Sequence, residues 1–349
     1  MWVIILLRKL LVIILSVSFI PVASYEINCS ATCAIVLDAD TMTVLYNKNA
    51  YDERPMASTT KIMTAILALE SEKLDETVVI TDEMVNTEGT SLGLKSGDKI
   101  TLSDLVSGMM MTSGNDSANA IAIAVSGSVE SFVILMNEKA KELKMDKTVF
   151  ITPSGLDEGK HHSSAYDMAV LAKYAVDNDS FVSIVSKQSA DITINSKVQT
   201  VYNHNKLLGM DEYIFGVKTG YTKKAGRCLV SAKHYENSRL ICVTLNAPDD
   251  WNDHLSLYRE CEKCYNSYDT ENSISVSLVG GDVQNFSASY SSSFMLLEEP
   301  FVEEYYFPFA YAPVKTGDTV GYAYVYCDKY LIERLPIKAD EDVNYARQE

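Results

Sequence analysis

Ser58 and Lys61 stand three residues apart in the run Ser58-Thr59-Thr60-Lys61, and together they carry the parts of an acyl-transfer reaction. A serine hydroxyl is a weak nucleophile until a neighbouring base takes its proton. A lysine can be that base where burial and nearby cations favour its neutral form. Residues three apart share one face of a helix, so the two side chains would meet. The pattern is cheap: it recurs at Ser96-Gly97-Asp98-Lys99, where Gly-Asp reads as a turn. Two later strings extend the first copy. Ser113-Gly114-Asn115 supplies a hydroxyl that can relay a proton and an amide that can hold a substrate carbonyl. Lys218-Thr219-Gly220 follows the apolar Ile214-Phe215. On an edge strand, its lysine and threonine would hold a carboxylate, and its glycine would let an extended peptide approach the backbone. Each has a decoy. Ser117-Ala118-Asn119 runs on into Ala120-Ile121-Ala122 and reads as helix interior, and Lys315-Thr316-Gly317 lies between Pro313 and Asp318 and reads as a turn.

The elements that must position these groups follow from periodicity. Apolar runs at 33–38 and 43–47 flank Asp38-Ala39-Asp40-Thr41, a hairpin signal. Helices are predicted over 57–70, over 103–125 with a break at Ser113-Gly114-Asn115, over 129–145 and over 164–178. Strands are predicted over 190–202, 214–221, 227–233 and 239–246, then a helix over 251–266. After about residue 268 short alternating runs at 273–279, 284–290, 293–298, 318–327 and 330–335 predict a small all-β sandwich or barrel-like domain.

Composition bounds the setting. Arg8-Lys9, the apolar Leu10–Ile20 run and small residues at Ala23 and Ser24 read as a secretory signal peptide over 1–24. The apolar Trp2–Leu7 stretch ahead of it brings the segment near spanning length, so a retained anchor is the alternative. The expected divisions are then 25–267, 268–340 and a polar tail over 341–349. That tail is acidic and too short for an amphipathic anchor, which leaves membrane association resting on the N-terminal segment. A net charge of −17 argues against nucleic acid or an anionic membrane surface as partner. Cys228 and Cys242 sit in strand-like runs and read as core; Cys29 and Cys33 could bridge locally; Cys261 and Cys264 read as structural. His161-His162 lies in a polar run and reads as a solvated loop. Nothing in these motifs requires a metal or a cofactor.

The three strings, in this order and inside longer matching segments, make the chain resemble the serine D-Ala-D-Ala carboxypeptidases, low-molecular-mass penicillin-binding proteins related to serine β-lactamases. The matching segments are Pro55–Thr64, Gly89–Asp98, Ser113–Ala120, Ser154–Asp157, Ser163–Ala169 and, most specifically, Lys218–Val230. Ala312–Gly321 resembles the family's β-rich second domain, which makes the second Lys-Thr-Gly structural. The spacings, 55 residues from Ser58 to Ser113 and 105 from Ser113 to Lys218, fit the family.

The resemblance implies an α/β (α+β) fold: a β-lactamase/transpeptidase-like domain with a mixed antiparallel sheet flanked by helices, plus the C-terminal all-β domain. It implies that Ser58 attacks the penultimate D-Ala carbonyl of a peptidoglycan stem peptide, with Lys61 as base and Ser113 as proton relay. Asn115 would hold the substrate amide, and Lys218, Thr219 and Gly220 would bind the terminal D-Ala and its carboxylate. The backbone N–H groups of Ser58 and Tyr221 would form the oxyanion hole. His204 stands where some relatives carry a basic residue near that carboxylate. β-Lactam antibiotics would acylate Ser58 as inhibitors, and the enzyme would act outside the cytoplasm. A DD-endopeptidase or transpeptidase on the same fold is one alternative, and a non-catalytic cell-wall binding protein is another. A class A β-lactamase would need a Glu-x-x-Leu-Asn string between Ser113 and Lys218, and there is none.

Overall fold

In the computed structural model, residues 28–307 and 309–346 are described; the expected signal segment over 1–24 lies outside them. The chain enters through strand β1 (Cys33–Asp38) and returns in β2 (Val44–Lys48), the predicted hairpin. Every residue of β1 is buried, and its alternation serves two cores. Cys33, Ile35 and Leu37 face the main helical core, whereas Ala34 and Val36 face a second cluster with Leu257 and Tyr258. A strand covered on both faces reads as a continuous apolar run, which is what Cys33–Leu37 is.

The nucleophile segment departs from the prediction. Ala57–Thr60 is a 3₁₀ turn, and helix α1 begins only at Lys61 (Lys61–Leu69). In a 3₁₀ turn side chains three apart eclipse one another, so the tighter turn stacks Ser58 over Lys61. After β3 (Thr77–Val79), the short helix α2 (Asp82–Val85) and β4 (Lys99–Thr101) come α3 (Leu102–Thr112) and α4 (Asn115–Ser126). They break where predicted, at Ser113, which adopts φ 62°. The decoy Ser96–Lys99 is a turn closed by the Asp98 N–H on the Lys95 carbonyl. Helices α5 (Val129–Glu142), α6 (Ala165–Val176) and α7 (Asp179–Val185) follow, with Ser128, Ser164 and Asn178 capping them.

The predicted 190–202 strand is two strands, β5 (Ser189–Ile194) and β6 (Lys197–Tyr202). Asn195 and Ser196 both take positive φ, the geometry of a tight hairpin turn. Strands β7 (Ile214–Thr222), β8 (Gly226–Tyr235) and β9 (Ser238–Leu245) complete the main sheet, in the order β2-β1-β9-β8-β7. All its neighbours are antiparallel. Strand β7 is the edge, as the Lys-Thr-Gly string required. Helix α8 (Asp250–Cys261) ends earlier than predicted, in a 3₁₀ turn over Glu262–Cys264.

The rest is all β: β10 (Asn266–Val279), β11 (Asn285–Leu296), β12 (Phe301–Tyr306), β13 (Phe309–Tyr311), β14 (Thr319–Cys327) and β15 (Tyr330–Ala339). The runs predicted separately over 284–290 and 293–298 are one strand, β11. The six form a single sheet, β12-β14-β15-β11-β10-β13, over a core of its own that includes Phe286, Phe294, Val325 and Ile337. Lys315–Gly317 is a turn here, held by Asp342. The seven cysteines are free thiols, so Cys29 and Cys33 do not bridge.

Candidate active site

The segment under Ser58 is assembled from three directions. Ala57 takes φ 49°, left-handed for a residue with a Cβ, and so turns the chain sharply just before the nucleophile. Its carbonyl accepts the Thr60 hydroxyl at 2.8 Å. A Cβ on Gly155, which has φ +86°, would sit 2.0 Å from that same carbonyl, so only glycine fits there. From the third side His161 comes in: its Nδ1 accepts the Ile151 N–H at 3.0 Å, which makes its Nε2 the donor to Thr60 Oγ1 at 2.8 Å. His161 is therefore buried inside the nucleophile turn, and the reading of His161-His162 as a solvated loop is corrected. Burial holds its imidazole neutral, at about 4. His162 is half-buried, with Nε2 3.6 Å from Glu53.

Lys61 is fully buried, and its Nζ lies 2.9 Å from Ser58 Oγ. The same nitrogen donates to Asn115 Oδ1 at 2.7 Å and to the Ser154 carbonyl at 2.5 Å. Desolvation, and then the Lys218 ammonium, hold Lys61 well below an ordinary lysine, with Asp116 opposing them. A neutral amine has two hydrogens and one lone pair. Asn115 and Ser154 take the two hydrogens, which leaves the lone pair for the Ser58 hydroxyl. Ser154 opens the Ser154–Asp157 segment, and its contact with Lys61 spans 93 residues, which no local pattern announces.

Asn115 is itself held from the other side. Its Nδ2 donates to the Glu88 carbonyl at 2.7 Å and its backbone N–H to Thr90 O at 2.7 Å. Asp116 beside it is buried and accepts the N–H groups of Leu92, Gly93 and Leu94 and the hydroxyl of Ser91. The start of α4 thus holds the 89–94 loop in place, and Thr90 of that loop lines the cleft.

The cleft encloses about 440 Å³ and is lined by Ser58, Thr90, Ser113, His204, Thr219 and Gly220, with a further wall of Tyr221, Arg227, Asp250 and Trp251. Gly220 passes so close to the nucleophile turn that a Cβ on it would lie 2.9 Å from the Ser58 backbone nitrogen. Lys218 is buried beneath; its Nζ donates to the Thr219 carbonyl at 2.9 Å, and burial lowers it to about 7. His204 is exposed at the rim. Partial desolvation and the Lys218 ammonium hold it below an ordinary histidine. The structure therefore gathers Ser58, Lys61, Ser113, Asn115, Lys218, Thr219, Gly220, Tyr221 and His204 around one cleft.

Residues 21–249 match the sequence profile of the D-alanyl-D-alanine carboxypeptidase family. The chain is 33% identical to the D-alanyl-D-alanine carboxypeptidase DacF of Bacillus subtilis, over 76% of this chain and 72% of that one. Its fold is similar to that of the Streptomyces K15 DD-transpeptidase, with a TM-score of 0.64 and 29% identity over 67% of this chain and 98% of the other. It is also similar in fold to the DacD carboxypeptidase of Francisella tularensis, with a TM-score of 0.63 and 24% identity; that likeness covers 92% of this chain and 95% of the other, and so takes in the C-terminal sheet.

Proposed function

The chain belongs to the D-alanyl-D-alanine carboxypeptidase family, and from that premise we propose that it removes the terminal D-Ala of peptidoglycan stem pentapeptides through an acyl-enzyme on Ser58. The observation that carries the residue assignment is the pairing of Lys61. Both N–H hydrogens of its neutral amine are committed to Asn115 and Ser154, and Nζ stands 2.9 Å from Ser58 Oγ.

The substrate lies extended along the open edge of β7. Its terminal carboxylate meets Lys218 and Thr219, and its scissile carbonyl points between the backbone N–H groups of Ser58 and Tyr221. Lys61 takes the Ser58 proton as Oγ bonds to the carbonyl carbon. Two backbone donors at the developing oxyanion are worth a few kcal/mol in comparable acyl-transfer sites, ~3–4 kcal/mol for one donor. The proton passes to the leaving nitrogen through Lys61 and Ser113, the C–N bond breaks and D-Ala departs. Water then cleaves the ester, restoring the Ser58 hydroxyl and releasing the shortened peptide. Asn115 aims Lys61 through its Oδ1 and holds the substrate amide through the second hydrogen of its Nδ2. Penicillins enter by the same attack. Action on the cell wall outside the cytoplasmic membrane, after export by the 1–24 segment, is part of the proposal, as are the domain divisions at 267 and 340.

The test is D-Ala release from a diacyl-lysyl-D-Ala-D-Ala peptide, with and without an added amine acceptor, alongside benzylpenicillin hydrolysis. Steady D-Ala release with slow penicillin turnover is expected. An aminolysis product that dominates over hydrolysis would make the protein a transpeptidase, and rapid penicillin turnover without D-Ala release would make it a β-lactamase.

A further inference from the structure

The wall of the cleft beyond Tyr221 has chemistry of its own. Arg227 stands opposite Tyr221 in the β7–β8 register, and Asp250 and Trp251 open α8. Arg227 Nη2 donates to Asp250 Oδ1 at 2.6 Å, and the same oxygen accepts the Trp251 N–H at 2.9 Å. The guanidinium lies over the Trp251 ring, 5.6 Å from its centroid. Asp250 is buried at 4% exposure, but Arg227 keeps 42% of its side chain open. A guanidinium has five N–H donors. Asp250 takes one, and Arg227 Nε is buried with no partner among the described residues. The wall is also rigid. His254, in the second turn of α8, bonds Ser231 of β8 at 2.6 Å and Thr244 of β9 at 2.9 Å.

We propose that Arg227, Asp250 and Trp251 form a subsite for the side chain of the residue preceding the D-Ala-D-Ala pair, and that it selects a side chain ending in a carboxylate with an ammonium beside it. The proposal rests on the reading of the cleft given above. With the terminal carboxylate at Lys218 and the scissile carbonyl at Tyr221, an extended chain advances about 3.3 Å per residue. Its next residue then lies alongside the Tyr221–Arg227 pair. Because the wall is neutral overall, a lone ammonium meets Arg227 and a lone carboxylate meets Asp250, each with like charge close by. A group carrying both can lay its carboxylate on the spare donors of Arg227 and turn its ammonium to Asp250. Charge-assisted hydrogen bonds of this kind give the discrimination, and the Trp251 ring covers the methylene stem.

Three stem pentapeptides that differ only at the third residue test this: lysine, diaminopimelic acid, and diaminopimelic acid with its side-chain carboxylate amidated. The wild type is expected to favour the free acid over both others by about ten- to a hundredfold in kcat/KM. In Arg227→Gln that ratio falls close to one, and in Arg227→Lys it is intermediate. Penicillin labelling of the variants reports that they are folded; should the Gln variant fail to label, the Lys variant carries the comparison. Equal rates on all three stems by the wild type, or an unchanged ratio in Arg227→Gln, would leave the wall a purely structural cap on α8 and overturn the subsite. No D-Ala release from any stem would instead overturn the reaction itself.

Discussion

Asn115 Oδ1 accepts a 2.7 Å hydrogen bond from Lys61 Nζ and so orients the amine beside Ser58. Asn115→Asp would put a carboxylate on that nitrogen and raise the lysine pKa. The acid limb of the kcat/KM–pH profile for D-Ala release is then expected to move to higher pH. Asn115→Ala should lower kcat/KM about a hundredfold through misplacement of Lys61. If Asn115→Asp lowers activity uniformly with the limb unmoved, Asn115 does not set the protonation of Lys61.

On the proposed mechanism the two lysines are expected to give the wild type a bell-shaped profile. Lys61 must be neutral to accept the Ser58 proton, so activity rises as pH passes upward through its lowered pKa. Lys218 must be charged to hold a carboxylate, and burial lowers it to about 7, so activity falls above that pH. Arginine stays charged throughout. Lys218→Arg should therefore abolish the alkaline limb, whatever its effect on the maximum; an alkaline limb that stays near 7 would assign it to another group.

Burying Lys218 also costs stability, with a definite sign in pH. Its folded pKa, about 7, lies below the unfolded 10.5, so the unfolded chain binds more protons between those values. The penalty is complete below about pH 7, shrinks as pH rises, and is gone above about 10.5. Lys218→Met is expected to lose D-Ala release and yet melt higher than wild type at pH 6, by about 2–4 °C per kcal/mol relieved. The gain should fade by pH 10. A lower melting temperature at pH 6 would show that the bond to the Thr219 carbonyl outweighs desolvation.

His204 lines the cleft near Lys218 with its pKa held down, so it brings no full charge to the terminal carboxylate at neutral pH. His204→Arg adds a permanent cation there. KM for peptides with a free terminal carboxylate should fall about three- to tenfold, with no gain for the terminal amide. An equal gain for both would mean that the arginine contacts something else.

The placement of the site was legible wherever a residue's partner lies close in sequence or its motif is long. Ser58 and Lys61 are neighbours on one turn, although the turn is 3₁₀ and not the expected α-helix. Lys218–Gly220 was readable as an edge strand because the strand pattern around it is regular. What could not be read depends on distant packing. His161 sits in a polar-looking run, yet the Val149–His162 bridge folds it under Thr60. The bond from Lys61 to Asn115 joins positions 54 residues apart, and neither string names the other. The Arg227–Asp250–Trp251 wall joins the start of β8 to the start of α8, and neither end carries a pattern that names the other.

Ser58 as the acylated residue is the central claim, and one measurement tests it most directly. Wild type and Ser58→Ala are incubated with benzylpenicillin, their intact masses are measured, and any adduct is mapped by peptide sequencing. One penicilloyl group on Ser58 in the wild type, with none anywhere on Ser58→Ala, is the predicted result. An adduct of the same stoichiometry on Ser58→Ala, or one mapped to Ser113 or Ser96 in the wild type, would contradict it.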